Sequence, residues 1–360
     1  MHTFLAVVVS YGGSPQLACL LATLSGISGS RVSLVENLTG TVHDDLPAGV
    51  RLFEGHGNVG YGTAVNIAVR GSLASGEAQP APGEPVPEWI LVVNSDITVS
   101  AEACATLPDL LASVPEGADA VGFPLRGERG LPGRGTAVLP NVRTNTYTAV
   151  RGEAAAVARW PDLRYPVGAF FAIRTASFLR LGGFDPSYWM YYEETDLFAR
   201  LHAAGGRVYW ADDRCQVSHV GGGTVGRAGL MYAELGRSAA IYARRHRAAL
   251  GRSWLAVHSG QLIVLTLRKL VAGRRHEALR AGRILGGLVA GLLQPHREPA
   301  TRSRWCAVPA QARRDLGRID VAVLGADVRA RLPLPRSTVP VAARSDPSAP
   351  PASSWATADR

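Results

Sequence analysis

Residues 3–10 (TFLAVVVS) form an unbroken apolar run, and no other stretch constrains the fold of this 360-residue chain as strongly. A strand with one wet face alternates apolar and polar side chains. A run that is apolar throughout belongs to a strand covered on both faces, as in a parallel sheet sandwiched by helices. Residues 89–94 (WILVVN) have the same character, and shorter strands read at 31–36, 50–54, 118–123, 170–174, 207–211 and 216–219. Helical stretches lie between them at about 14–24, where Ser14-Pro15 would cap, and at 60–75, 101–113, 175–181 and 193–204, with a further Arg-rich helix at 229–250. This alternation specifies an α/β layer architecture with a mostly parallel central sheet flanked by helices. Residues 125–165, poor in periodicity and rich in Gly, Pro and Arg, read as an irregular insertion. One that long is more often functional than idle.

The densest chemistry lies at residues 188–200, YWMYYEETDLFAR. Aromatics precede Glu193 and Glu194, and Asp196 follows as the pattern turns helical through Leu197, Leu201 and Ala204. Acid in a first turn complements the helix dipole, which suffices for an ordinary helix start. The other reading is catalytic, because burial raises a carboxylate's pKa toward that of a general base. On this stretch alone both stand.

Residues 55–60 spell G-x-G-x-x-G after a strand and before a helix, the pattern of a dinucleotide-binding turn. Such a turn belongs after the first strand, with an acid ending the next one. Here it follows the third strand, and the acid at the right distance, Glu77, falls in a Gly- and Pro-rich loop. In the longer string GNVGYGTAVN, small residues let the backbone approach a ligand, and Asn58 and Asn66 add polar groups. Asn94-Ser95-Asp96 follows the second long apolar strand, and ligands bind at the carboxyl edge of open α/β sheets. Asp96 is then either a turn residue or a ligand of a hard divalent cation on a diphosphate. His219, before Gly221-Gly222-Gly223, is either a structural histidine or a further ligand.

Charge divides the chain. Residues 1–239 carry 17 Arg against 22 acids, whereas 240–300 carry 11 basic residues against 2 acids, within a net charge of +9. Arg-rich helices with apolar faces across 241–300 suit a solvated extension or a peripheral contact with anionic headgroups. No recognition motif or aromatic platform accompanies the charge, so nucleic acid is not an expected partner. No stretch reaches the roughly 20 apolar residues of a membrane span, and no signal peptide opens the sequence. The four cysteines lie in no metal-ligand spacing and read as reduced thiols. A cytoplasmic protein, at the inner face of the cell membrane, is expected.

In order, Glu36-Asn37, GNVGYGTAVN, NSD, GAFFAIR, GGFDPSYWMYYEETDLFARL and HVGGGT resemble the family-2 inverting glycosyltransferases of GT-A fold, over about residues 5–224. GNVGYGTAVN looks especially like the rhamnosyltransferase branch, whose actinobacterial members pass rhamnose from dTDP-rhamnose to a polyprenyl-diphosphate-linked sugar. The resemblance implies a GT-A (nucleotide-diphospho-sugar transferase) catalytic domain at 1–240, with a donor half to about 124 and an acceptor half beyond. A basic helical extension at 241–331 and a disordered Pro-, Ala- and Ser-rich tail at 332–360 would follow.

The resemblance also implies site roles. Tyr11 and Glu36 would line the base and ribose pocket, and Asn58, Gly60, Asn66, Asn94 and Ser95 would complete the donor site. Asp96 would hold Mg2+ or Mn2+ on the donor diphosphate, with His219 as a further ligand. Glu193-Glu194 stands where the family has Glu-Asp, whose second acid is the base, so Glu194 is the expected base and Glu193 the second choice. Gly168, Ala169, Phe170, Trp189 and Asp196 fall on the acceptor side, although Asp196 and Arg200 also suit fixing the helix. Two departures stand out. Asn-Ser-Asp replaces Asp-x-Asp, leaving one carboxylate fewer, and the base is Glu rather than Asp, one methylene longer.

The expected reaction moves a sugar, L-rhamnose by preference, from a dTDP- or UDP-sugar to an acceptor hydroxyl. The expected acceptor is a polyprenyl-diphosphate-linked glycan in cell-envelope polysaccharide assembly. A soluble natural product as acceptor would leave the fold unchanged. A sugar nucleotidyltransferase would want a basic residue in YGGSPQ, and a non-catalytic nucleotide-sugar-binding module would make the acids structural. A homodimer fits any of these.

Overall fold

A computed structural model describes residues 3–73, 86–127, 135–219 and 228–320. The strands are β1 (Phe4–Ser10), β2 (Ser30–Glu36), β3 (Arg51–Phe53), β4 (Trp89–Asn94), β5 (Ile97–Val99) and β6 (Ala120–Gly122). They continue as β7 (Leu125–Arg126), β8 (Thr136–Val138), β9 (Arg164–Pro166), β10 (Phe170–Arg174), β11 (Val208–Trp210) and β12 (Val217–His219). The helices of the first two thirds are α1 (Leu17–Ser25), α2 (Tyr61–Leu73), α3 (Ala101–Ser113), α4 (Val142–Arg151), α5 (Glu153–Arg159), α6 (Thr175–Arg180) and α7 (Glu193–Ala203). The last third holds α8 (Ala228–Arg245), α9 (Arg247–Leu250), α10 (Trp254–Val271), α11 (Arg275–Leu293), α12 (Ala300–Ser303) and α13 (Ala310–Gly317).

Seven strands form the main sheet in the order β11-β6-β10-β4-β1-β2-β3. β1 lies at its centre, parallel to β2 and β4, and every residue of β1 is buried. Because side chains alternate along a strand, Phe4, Ala6 and Val8 enter the layer with α1 and α3, while Leu5, Val7 and Val9 enter the layer with α2 and α7. That double burial is why the sequence could be apolar without alternation. The sheet is mostly parallel, as expected; β10 is the exception, antiparallel to both β4 and β6.

Three expectations need correction. Ser14-Pro15 does not cap α1, which starts after Gln16 with no side-chain cap; the Ser14 hydroxyl instead donates to the Ser95 carbonyl at 3.1 Å. Residues 125–165, where described, are not irregular. They hold α4, α5 and the β8–β9 pair, and α4 opens on a capping box between Asn141 and Thr144. Finally, the helix expected at 229–250 breaks at His246 into α8 and α9. The glycine triplet at 221–223 and the tail from 332 lie outside the described residues.

The boundary expected near 240 falls inside α8. Gly236 and Gly287 let α8 and α11 approach until a Cβ on either would strike the other helix's backbone. Beyond α11 the chain returns to the sheet half. Val308 N–H donates to the Asn58 carbonyl at 3.0 Å, and Ile319 joins the α2 layer of the core.

Candidate active site

The carboxyl ends of β1, β2 and β4 align, with Ser10 opposite Glu36 and Val9 opposite Asn94. Glu36 is buried. Its Oε1 accepts from the Gly12 and Leu38 amides at 2.8 Å each, and its Oε2 meets His43 Nε2 at 3.0 Å. These bonds fix the turn after β1, where Tyr11 sits with its hydroxyl donating to the Trp305 carbonyl at 3.3 Å.

Asp96 lies in the turn between β4 and β5. β12 pairs antiparallel with β5, setting His219 opposite Ile97. One residue before Ile97, the Asp96 carboxylate meets His219 Nε2 at 3.2 Å, both side chains about a quarter exposed. Strand register thus joins two residues 123 positions apart.

Ahead of α7, Tyr191 and Tyr192 both take left-handed backbone (φ 66° and 65°). Non-glycine residues rarely adopt it, and each costs on the order of 1–3 kcal/mol unless its surroundings enforce it. Here they do. The Met190 carbonyl accepts from the Ser238 hydroxyl of α8 at 2.7 Å, the Trp189 carbonyl from the Tyr61 amide at 3.3 Å, and the Tyr192 ring packs on Tyr242 at 5.2 Å. The forced turn starts α7 abruptly, with both glutamates in its first turn.

Those glutamates differ. Glu193 is buried, and its Oε2 has no hydrogen-bond partner. Burial, then the charge of Glu194, pushes its carboxyl well above the usual carboxylate range. Glu194 is half-buried and lies along Gly168, where a Cβ would stand in ordinary contact, 3.6 Å from Glu194 Cγ. Tyr61, from the GNVGYG string, completes the group. Its hydroxyl donates to the Gly168 carbonyl at 2.8 Å. Burial, then the charges of Glu193, Glu194 and Asp96, raises its phenol well above the ordinary value. The Tyr61 phenol therefore sits among all three acids. Its signal in the sequence is an aromatic set amid the glycines of GNVGYG.

Other expected site residues serve behind this surface. Asn58 is buried, with Nδ2 donating to the Trp305 carbonyl at 2.9 Å and Oδ1 accepting from the Gly60 amide at 3.1 Å and from Trp189 Nε1 at 3.3 Å. Gly60 has φ 83° and packs so tightly on the Trp189 backbone that a Cβ would collide with it. Asn66 accepts from the Phe184 amide at 2.9 Å and donates to the Phe184 and Gly317 carbonyls at 2.7 and 2.8 Å. All three are committed to other parts of the chain rather than presented to a donor. Trp189 is fully buried under the Arg302 guanidinium, Ala169 and Phe170 lie in the core, and Gly168 stands against Glu194. Asp196, also buried, pairs with Arg200 and His246 at 2.8 and 2.7 Å. Burial would raise its carboxyl, but the His246 and Arg200 bonds outweigh that and lower it. Arg200 in turn donates to the Leu181 and Gly183 carbonyls. These two residues fix α7.

An accessible carboxylate beside a buried one, and a carboxylate–imidazole pair at the carboxyl edge of a mostly parallel sheet, make up the candidate site. No family-wide sequence model matches the chain. It is 32% identical to the N-acetylglucosaminyl-diphospho-decaprenol L-rhamnosyltransferase of Mycobacterium tuberculosis, in two strains, over 55% of this chain and 70% of that protein. The chain therefore belongs to the family-2 GT-A glycosyltransferases, in the rhamnosyltransferase branch. Among solved structures, Staphylococcus aureus TarS 1–349 matches 80% of this chain and 92% of its own at 15% identity and TM-score 0.40. Glucosyl-3-phosphoglycerate synthase of M. tuberculosis matches 68% and 80% at 13% identity and TM-score 0.44. Likenesses that remote carry no argument about activity.

Proposed function

We propose that this glycosyltransferase transfers L-rhamnose, with inversion, from dTDP-L-rhamnose to a sugar hydroxyl of a polyprenyl-diphosphate-linked acceptor, with Glu194 as the base. One observation carries the assignment of the base: Glu194 is accessible beside Gly168, while Glu193 behind it is buried with an orphaned oxygen. Two adjacent carboxylates in such a setting resist carrying two charges. Burial and the neighbouring charge favour the protonated form of Glu193, so the role of base is assigned to Glu194. Glu194 accepts the proton of the acceptor hydroxyl as its oxygen bonds to the anomeric carbon and the nucleoside diphosphate departs. One displacement inverts that centre, and no covalent intermediate on the enzyme is needed. Tyr61 holds the Gly168 carbonyl and so fixes the wall against which Glu194 lies.

Asp96 and His219, a carboxylate and an imidazole in contact, would hold a divalent cation, for which both ligand types are suited. Among the described residues no group of three or more His, Cys, Asp or Glu could hold a metal. When bound, Mg2+ or Mn2+ would offset charge on the leaving diphosphate. Tyr11 and the turn braced by Glu36 form the base side of the donor pocket.

No helix among the described residues is long and apolar enough to cross a membrane. The α10–α11 pair nevertheless exposes Val264, Leu267, Leu270, Val271 and Leu279 beside Arg268, Arg274 and Arg275. Apolar side chains ringed by arginine suit the surface of an anionic bilayer, where a lipid-linked acceptor resides.

The deciding assay mixes the pure protein with dTDP-L-rhamnose and N-acetylglucosaminyl-diphospho-decaprenol, with Mn2+, Mg2+ or EDTA, and reads product mass. Glu194→Gln should lose about 10²–10⁴-fold in turnover while calorimetry still registers donor binding. An active Glu194→Gln beside a dead Glu193→Gln would reverse the two roles. Absence of any nucleotide-sugar binding by the wild type would remove the reading altogether.

A further inference from the structure

A groove of about 870 Å3 runs between α8, α10 and α11, within the range of roughly 300–1,000 Å3 typical of ligand pockets. Its walls are apolar, with Leu270 on one side and Ala278, Gly282 and Gly286 on the other. Those two glycines are unusual. Both lie within helix α11, where glycine is the worst residue after proline, and a Cβ on either would meet nothing within 4 Å. Gly287 and Gly291 on the same helix are demanded by contact with α8. Nothing among the described residues demands Gly282 or Gly286. They keep open a space that the described side chains do not fill.

The groove adjoins the catalytic loop. Ala233 and Arg237 of α8 line it, while Ser238 of the same helix holds the Met190 carbonyl and Glu234 pairs with Arg302, which lies over Trp189. The groove's edge is cationic. Arg275, Arg283 and Arg297 contribute to its lining; its one acid, Glu298, is already paired with Arg302 and Arg313. Leu270 also belongs to the exposed apolar face of α10, so the groove opens onto the surface proposed to meet the bilayer.

We infer that this groove binds the polyisoprenyl chain of the lipid-linked acceptor, with the rim arginines facing its diphosphate. The inference rests on the acceptor class proposed above. An apolar slot with a cationic edge complements an anionic diphosphate on a long hydrocarbon, and α8 connects that slot to the loop carrying Glu193 and Glu194.

The test fills the slot from within. Gly282→Leu/Gly286→Leu replaces two poor helix formers by good ones facing empty space, so its melting temperature should equal or exceed that of the wild type. Gly286→Ala, with a similar helix benefit but little added bulk, is the control. Two measurements are made: binding to liposomes with and without decaprenyl phosphate, and kcat/KM on acceptors with a decaprenyl or a short hexyl chain. The expected result is a loss of about tenfold or more for the decaprenyl acceptor, mainly through KM. The hexyl acceptor should be unaffected, and decaprenyl phosphate should no longer enhance liposome binding.

Equal losses on both acceptors, or none on either, overturn the inference. So does a change of oligomeric state, which would assign the groove to a second copy, or lost binding to liposomes lacking decaprenyl phosphate, which would assign it to bulk lipid. If the wild type binds decaprenyl phosphate through the groove yet transfers no rhamnose, the proposed reaction fails and the lipid site stands. If it does not bind decaprenyl phosphate, the lipid site fails whatever the reaction.

Discussion

Phe171 and Leu267 are both large apolar residues within regular elements, yet Phe171 is fully buried between β4 and β6 while Leu267 on α10 is 56% exposed. The contrast extends to their surroundings. Among the described residues, the sheet half exposes only Val42 and Val150 as large apolar side chains, while the pair α10–α11 exposes nine. Its arginines cluster around them. The sheet half is built to exclude water and to aim a few polar groups across its carboxyl edge. The helical half has a small core of its own, around Tyr242, Trp254 and Leu288, and turns the rest of its apolar surface outward. Apolar surface serves stability in one half and, in the membrane role proposed above, association in the other.

Three substitutions can break or sharpen that contrast. The largest effect is expected from Phe171→Ala, which leaves a cavity among Phe184, Phe198 and their neighbours and should cost about 3–5 kcal/mol in urea unfolding. A loss below about 1 kcal/mol would mean that the sheet half is no tighter than the helical one.

Next comes Glu193→Gln, at the seam between the halves. The Glu193 carboxyl sits above its unfolded value, so the folded state holds a proton that the unfolded chain has released. Wild-type stability therefore falls as pH rises through that interval, and the glutamine variant should escape the fall. It should be more stable than wild type by about 1–3 kcal/mol near pH 8, with the gap closing as pH drops toward about 4.5. A gap that widens on acidification would show that Glu193 is ionised in the fold.

The smallest stability change is expected from Leu267→Gln/Val271→Gln, within about 0.5 kcal/mol of wild type, although binding to anionic liposomes should drop sharply. A variant that keeps its liposome binding would remove the membrane role of α10.

Sequence and structure agree best where burial is two-sided. β4, α3 and β10 fall on the residues that apolar runs and helical periodicity marked, because a strand covered on both faces tolerates few alternatives. α4 and α5 escaped because α4 is polar on most of its surface and Gly152 interrupts the pair; the Asn141–Thr144 box was the legible signal. At the candidate site, the placing of Glu194 at the start of a helix and of Asp96 just after a buried strand was legible from local context. The partners of Asn58 and Asn66 could not, since Trp305 and Gly317 lie 247 and 251 residues away and nothing local announces them. A polar residue in a motif reads as a ligand contact, and the sequence does not show that Asn58 and Asn66 each also bond a backbone carbonyl of the returning chain.

Those distant bonds also set a timetable. Chains emerge from the ribosome at about 5–20 residues per second, so Asn58 and Asn66 wait on the order of 10–50 s for the segment that satisfies them. Until Gly317 and Ile319 emerge, the loop bearing Tyr61 and the ledge under Trp189 lack their clasp. The strands can assemble early, but the catalytic surface is finished late, by nearly the last of the described residues to be synthesised. A nascent chain paused at α8 would hold most of its sheet and little of its transferase.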